Sequence, residues 1–328
     1  MSVPIARRRT RIDAGPGPTP RGGLRRRQRW FSLALLSPGI IGAAVFFGYP
    51  LVTILLLSFS RYNLIKPPEF IGLANYEFLF SDPMVPHAIV NTLWFAVVVV
   101  ILQLVYALGV AMLVTRIKRG STLARAVFYL PSMIPPIASA LAFIYLLNPG
   151  TGPVAAALRM IGVDSPLWFD DPHWSKPALT LLALWGTGNL MVIFFAALLD
   201  VPTELTEAST VDGANAIQRF RHVTLPSIAP VLQFAAVTAV IDALQYFAQA
   251  YMVSNVHNGG GAATTLVLGY PQNSTLFYPV YLYVQGFRYF NMGYAAALAM
   301  VLFVVSMIVA ALMMRGSRRL VHAEAEES

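Results

Sequence analysis

Cysteine is absent from this 328-residue sequence. That excludes a disulfide framework, a thiolate nucleophile and any cysteine-ligated metal. The histidines His87, His173, His222, His257 and His322 are scattered without metal-ligand spacing and read as surface residues, so neither a metal site nor a resident cofactor is expected. Charge is scarce as well: 12% of the residues are Asp, Glu, Lys or Arg, against 57% hydrophobic. A soluble domain carries about 25% charged residues, so this chain has too little polar surface to cover itself in water. No Gly-Lys dipeptide occurs anywhere. A phosphate-cradling G-x-x-x-x-G-K-[ST] loop needs that pair, and nothing resembles a nucleophile–base arrangement. The chain is therefore expected not to be an enzyme, and any energy source must lie in another polypeptide.

The charges that are present are segregated. Residues 30–60, 88–115, 126–158, 177–199 and 289–314 carry none, and 228–254 carries only Asp242. Each stretch exceeds the ~20 residues that a helix needs to cross a ~30 Å hydrocarbon core. Lipid offers no partner to backbone N–H and C=O groups, which leaves helices or closed barrels. Barrel strands are about ten alternating residues, and these stretches are longer and uniformly apolar. The expected fold is all-α and integral to the membrane. Its six transmembrane helices fall at about 32–59, 88–115, 124–147, 177–199, 228–254 and 290–314, within a domain spanning 31–315. Pro131, Pro135 and Pro136 are expected to kink or unwind the third span, and 153–162 to form a short surface helix.

The net charge of +8 is distributed with a purpose. Arg7, Arg8, Arg9, Arg11, Arg21, Arg25, Arg26, Arg27 and Arg29 all precede the first span. Gly and Pro punctuate residues 1–30, which read as a disordered basic tail that fixes topology and touches anionic lipid; no nucleic acid is expected. The apolar run after Arg29 is too long for the 7–15-residue core of a cleaved signal peptide. A cytoplasmic N-terminus puts Arg116, Lys118, Arg119, Arg125, Arg219, Arg221, Arg315, Arg318 and Arg319 on the inner side too, together with a second tail at 316–328. Only Arg61, Lys66, Arg159, Lys176 and Arg288 remain outside, as the positive-inside rule asks of a multi-pass protein of the cytoplasmic membrane. The outer loops, about 61–87, 148–176 and 255–289, carry interfacial aromatics such as Trp168, Trp174, Tyr281 and Phe287.

The inner loop 200–226 is long and patterned. Pro202 opens a helix, and Glu204 and Glu207 complement its dipole. Asp212 and Gly213 stop it. A second helix over 215–222 places Ile217, Phe220 and Val223 near helical spacing, and Pro226 is expected to end it. The small residues Ala208, Ser209, Gly213, Ala214 and Ala216 allow close approach of another surface. Two readings stand at this level: a docking element for a soluble partner, and an amphipathic connector lying on lipid.

The residues Glu207-Ala208-Ser209, Asp212-Gly213-Ala214, Phe220, Val223, Pro226 and Pro230 resemble the EAA signature of ABC-importer permeases, departing at Ser209 where Ala is usual. Other stretches resemble the MalF-like branch that imports sugars. They are Phe70-Ile-Gly-Leu-Ala-Asn-Tyr76, Arg125-Ala-Val-Phe-Tyr-Leu-Pro131, the Gly-rich 259–265 and Met292-Gly-Tyr-Ala-Ala-Ala297. Ala262 stands where the family usually has proline, and the first outer loop lacks the large insert of the maltose permease. The resemblance implies a type I importer permease fold and a sugar or sugar derivative as cargo. It implies that 200–226 supplies the coupling helices that seat in a cytoplasmic ATP-binding subunit, with Glu207 and Gly213 foremost. ATP and magnesium would then be held by a dimer of those subunits. A second, homologous six-span permease and an extracytoplasmic solute-binding protein would complete the assembly in the lipid bilayer.

A substrate path is sought among intramembrane polar groups. A carboxylate there is a functional candidate by default. Asp242, Gln245, Tyr246 and Gln249 are expected to share one face of the fifth span. Trp185 and Asn189 add aromatic and amide groups on the fourth, and Asn291 lies at the mouth of the sixth. Two readings again stand: a hydrated pathway for a hydroxylated cargo, and polar glue between helices. A non-sugar solute, an ion-coupled secondary transporter using Asp242 and a membrane scaffold without transport are the competing functions.

Overall fold

The computed structural model describes residues 22–117, 119–256 and 269–326, with side chains over 31–117, 119–255 and 269–315. The expectations placed on Arg7, Arg8, Arg9, Arg11, Arg21, Lys118, His257 and the 259–265 motif with Ala262 lie outside the described residues. So do those on the side chains of Arg25, Arg26, Arg27, Arg29, Arg318, Arg319 and His322.

The chain separates into two units, 1–54 and 55–328. In the first, α1 (Gly22–Ala43) passes through a wide π-turn (Ala44–Gly48) into α2 (Tyr49–Ser58), whose later residues begin the second unit. The helix starts at Gly22, so residues 22–30 do not belong to an irregular tail. Pro38 inside α1 and Pro50 in the first turn of α2 are both accommodated, as prolines can be in a membrane helix.

After α2 come β1 (Ser60–Arg61) and β2 (Glu69–Phe70), antiparallel with Ser60 opposite Phe70. This two-residue ladder is a small departure from an all-α chain. Next come α3 (Ala74–Ser81), α4 (Met84–Thr115) and α5 (Ser121–Tyr129), then a 3₁₀ turn (Leu130–Met133) and α6 (Pro136–Leu146). Surface helix α7 (Pro153–Met160) leads to α8 (Pro172–Trp185), α9 (Gly188–Leu199), α10 (Thr203–Val211), α11 (Ala216–Arg219) and α12 (Leu225–Ser227). The last elements are α13 (Ala229–Leu244), α14 (Ala248–Val256), α15 (Tyr278–Tyr283) and α16 (Met292–Glu326).

Four helical runs, Phe31–Ser58, Met84–Thr115, Ala229–Asn255 and Met292–Arg315, are long and apolar enough to cross a bilayer. Two bent pairs, Ser121–Met133 with Pro136–Leu146 and Pro172–Trp185 with Gly188–Leu199, bring the number to six when each counts as one span. The first pair is bent by 99°. The cause is local: Pro135 is extended, at ψ 137°, because residues preceding a proline avoid the α region.

Helix α4 is the central post, packing against α8, α9, α13 and α15. Ala88, Phe95, Ala107 and Ala111 are fully buried along it. Alanines let neighbouring backbones come close, which matters where lipid removes the hydrophobic drive for helix association. At one end Phe95 packs with Phe277 and Tyr246 at 5.0 and 4.5 Å between centroids. At the other, Met191, Phe194 and Ile228 close a second core around Val114.

The Gly188 position tolerates no side chain. A Cβ there would lie 2.7 Å from the Phe128 carbonyl oxygen and 2.8 Å from Tyr129 Cα, both backbone. Gly188→Ala must push α9 off the end of α5, and overpacking of this kind costs about 1–3 kcal/mol. Gly109 on α4 has nothing within 4 Å of its virtual Cβ. Gly109→Ala is expected to gain up to about 1 kcal/mol from helix propensity. Thermal unfolding in detergent should show opposite shifts for the two variants.

Candidate functional site

The segment joining α9 to α13 is a helix–turn–helix built from local rules. Gly213 sits at φ +80°, the left-handed conformation that stops α10. There the Ala214 N–H donates to the Ser209 carbonyl and the Gly213 N–H to that of Thr210, at 2.9 and 3.1 Å. Asn215 then starts α11 with a reciprocal cap. The Gln218 N–H donates to Asn215 Oδ1 at 2.9 Å, and the Asn215 N–H to Gln218 Oε1 at 2.8 Å. Arg219 staples the two helices by donating to the Ala214 carbonyl at 3.1 Å and to Thr210 Oγ1 at 3.4 Å. Sequence reading assigned Arg219 to topology alone; the stapling depends on the turn being closed.

Pro226 does not end the second helix. A π-turn (Phe220–Thr224) precedes it and the backbone continues through α12 to α13. The wider turn accommodates a residue with no N–H to return. Phe220 is half-buried against the core around Phe194, anchoring the element. Glu207, Ala208, Asp212, Gly213 and Pro226 are exposed, while Ser209 and Ala214 are half-buried. The Ser209 hydroxyl donates back to the Thr206 carbonyl at 2.8 Å, so serine in place of alanine leaves no polar group wanting a partner. Apolar residues stand out on the same element: Val211 is 87% and Ile217 77% exposed.

A cavity of about 210 Å³ lies between α4, α6, α8 and the α13–α14 break. Trp185, Asp242, Tyr246 and Gln249 line it together with Gln103, Ser132 and Ser139, which sequence reading passed over. Gln103 was legible as one of two amides, with Asn91, in the apolar run 88–115; its Nε2 donates to the Ala183 carbonyl at 3.1 Å. The expected single helical face is not formed. Helix α13 ends at Leu244, and residues 245–247 are irregular before α14. Gln245 is consequently exposed and does not line the cavity. Asn189 is one step removed, accepting from Ser132 Oγ at 3.5 Å. Asn291 lines a separate cleft of about 330 Å³ with Arg61, Asn75 and Tyr294.

That second region is held by a buried carboxylate no sequence signal marked. Asp82 is 5% exposed. Its Oδ2 accepts from the Tyr294 hydroxyl at 2.7 Å and from that of Tyr281, and its Oδ1 from the Met84 N–H at 2.9 Å. Gln285 Nε2 donates to the Tyr281 oxygen at 2.7 Å, and Asn291 Nδ2 to Gln285 Oε1 at 3.2 Å. Burial, reinforced by Asp82, raises the Tyr281 phenol above its ordinary range, which keeps it a donor. Here the stretches 70–76 and 292–297, singled out by resemblance, find a physical use. Asn75 Nδ2 donates to the Ser58 and Ser60 carbonyls at 2.9 and 3.0 Å, and Tyr76 to Ser58 Oγ at 2.8 Å. Gly293 passes so close to β1 that a Cβ would lie 1.9 Å from the Ser60 oxygen. Asn291 therefore serves a structural network.

Among known families, the binding-protein-dependent transport system inner membrane component matches residues 105–322, a range that holds both the helix–turn–helix and most of the cavity wall. The chain is 34% identical to the probable ABC transporter permease protein YesP of Bacillus subtilis, covering 90% of this chain and 92% of that one. It is 31% identical to the sulfoquinovosyl glycerol transport system permease protein SmoG of Agrobacterium fabrum, covering 88% and 90%. Its fold is that of a bacterial ABC transporter involved in the import of the acidic polysaccharide alginate, with a TM-score of 0.75 at 22% identity over 90% of this chain and 98% of that one. A multi-pass membrane protein with the type I permease fold is thus defined. The chain belongs to the binding-protein-dependent family of ABC transporter permeases.

Proposed function

We propose that this chain translocates a sugar or sugar derivative across the cytoplasmic membrane by alternating access, with ATP hydrolysed by separate subunits that dock on the α10–α11 pair. The observation that carries the proposal is that pair itself. It is closed by its own hydrogen bonds, tied to the core through Phe220, and has Val211 and Ile217 exposed rather than packed in the chain's own core. A rigid lever is what force transmission requires, since a loose loop would dissipate the stroke. ATP and magnesium then belong to a dimer of the docked subunits. Both termini lie in the cytoplasm, and a second permease faces this one across the path. The family's dependence on binding proteins supports delivery of cargo by a solute-binding protein from outside. The amides, hydroxyls and Trp185 of the cavity suit a hydroxylated cargo with apolar faces. SmoG, a relative named for sulfoquinovosyl glycerol transport, supports the carbohydrate class.

The absence of native cysteine makes the test direct. Val211→Cys, carrying a photoactivatable cross-linker in the assembled importer, is expected to capture an ATP-binding subunit identified by mass spectrometry through its G-x-x-x-x-G-K-[ST] peptide. A membrane-impermeant maleimide added to intact cells should leave the same thiol unlabelled. Labelling from outside, or cross-links that never include an ATPase, would remove the docking reading. Uptake that survives collapse of the proton gradient but stops on ATP depletion separates this mechanism from an ion-coupled one.

A further inference from the structure

We propose that Asp242 is a charge filter, making the pathway favourable to neutral and amino saccharides and unfavourable to anionic ones such as uronates, sulfonates and sugar phosphates. The inference rests on the reading of the 210 Å³ cavity as part of the cargo path and adds the sign of charge that path accepts. Asp242 is the single charged side chain in the lining; no Lys, Arg or His stands beside it. Among the described residues the ion pairs are Arg61 with Glu69 and His173 with Asp171, so no cation is held against Asp242. Its position is enforced by the fold. Ala243 and Leu244, the next two residues, are buried among Ala96, Val100 and Ala239, which leaves the carboxylate on the open side of α13.

The surrounding wall magnifies the effect. Phe95, Val99, Leu182 and Ala183 give the cavity low-dielectric sides, and such walls focus the field of a charge into the cleft instead of letting solvent spread it. The remaining polar groups are neutral. The Tyr246 hydroxyl is buried and has no hydrogen-bond partner among the described residues, so it adds no charge to the wall. Gln103, Ser132 and Gln249 donate and accept without adding charge. A hydroxyl-rich cargo without negative charge is the chemistry that satisfies every group present. The type I fold does not decide this sign, because the fold is shared with a transporter for an acidic polysaccharide.

The experiment measures the local potential directly and needs no knowledge of the cargo. Gln249→Cys is introduced into the otherwise cysteine-free chain within the assembled importer. Its reaction rates with trimethylammonium-ethyl and sulfonatoethyl methanethiosulfonate are measured, each relative to a free thiol in solution. With Asp242 present the cationic reagent should react faster. Adding Asp242→Asn should lower the cationic-to-anionic ratio by about tenfold, and Asp242→Glu should restore it. Ser132→Cys on another element of the wall repeats the measurement should the first variant fail to assemble. An unchanged ratio with reactive thiols overturns the charge filter and leaves the permease assignment standing. Thiols unreactive to both reagents in every nucleotide state overturn the pathway reading and the filter with it.

Discussion

Gly213→Val is expected to lower ATP-driven uptake at least tenfold while leaving the chain inserted, whereas Gly213→Asn keeps most of the activity. The reason is backbone conformation. Gly213 adopts φ +80°, and nothing lies within 4 Å of its virtual Cβ, so no clash inside the chain confounds the comparison. A left-handed conformation costs an L-residue about 1–2 kcal/mol, more for a β-branched side chain, while asparagine visits it readily. Helix α10 spans Thr203–Val211 and has no buried residue, so no core packing compels the turn against that strain. A penalty of about 2 kcal/mol lowers the ratio of closed to open turn more than tenfold. The Arg219 staple and the Asn215 cap loosen with it. Uptake and cargo-stimulated ATPase in proteoliposomes measure the loss, and fluorescence-detected size exclusion establishes insertion. Normal transport by the valine variant would contradict the lever mechanism. Equal damage from asparagine and valine would show that the partner's fit, not the backbone, sets the requirement.

The second large effect concerns Asp82. Asp82→Ala is expected to destabilise the second unit by about 3–5 kcal/mol, since two buried phenols lose a charged acceptor and such bonds contribute about 1.5–3 kcal/mol each. Against a typical total of 5–15 kcal/mol this is severe, and yield in the membrane should fall sharply. Asp82→Asn keeps one oxygen acceptor and should fall between wild type and alanine. The triple variant Asp82→Leu, Tyr281→Phe, Tyr294→Phe should recover part of the loss, because removing both sides of a buried bond leaves nothing unsatisfied. Thermal unfolding in detergent ranks the four proteins. A melting point for Asp82→Ala equal to wild type would show that the carboxylate holds nothing in place. A triple variant no better than alanine would show that packing, not unmet hydrogen bonding, carries the cost.

The two predictions illustrate different degrees of legibility. Everything that shapes the Gly213 turn lies within a dozen residues of it: the stop at Asp212–Gly213, the small residues, the restart at Asn215. Such features follow from local backbone preferences, and they could be read before any coordinates. The bend at Pro131–Pro136 was legible for the same reason. Pro226 misled because proline alone does not reveal whether a wider π-turn will absorb it. Gln245 misled because helical spacing presumes an unbroken helix, and packing of Tyr246 against Phe95 and Phe277 accompanies a break after Leu244. Asp82 was invisible: its partner Tyr281 is 199 positions away. An aspartate beside a proline at the end of a short helix looks like any turn residue.

Composition and hydrophobic run length, acting alone, determined that this chain is helical and lives in a membrane, because a backbone in hydrocarbon must satisfy its own hydrogen bonds. Local stop and start chemistry likewise determined the helix–turn–helix between α9 and α13. Only the tertiary structure decided which polar groups share a cavity, that Gln245 and Asn291 are not among them, and that Asp242 faces it without a counter-charge. Those outcomes depend on how distant helices cross, and side-chain neighbours across a crossing are set by packing between segments whose separation along the chain carries no information about their separation in space.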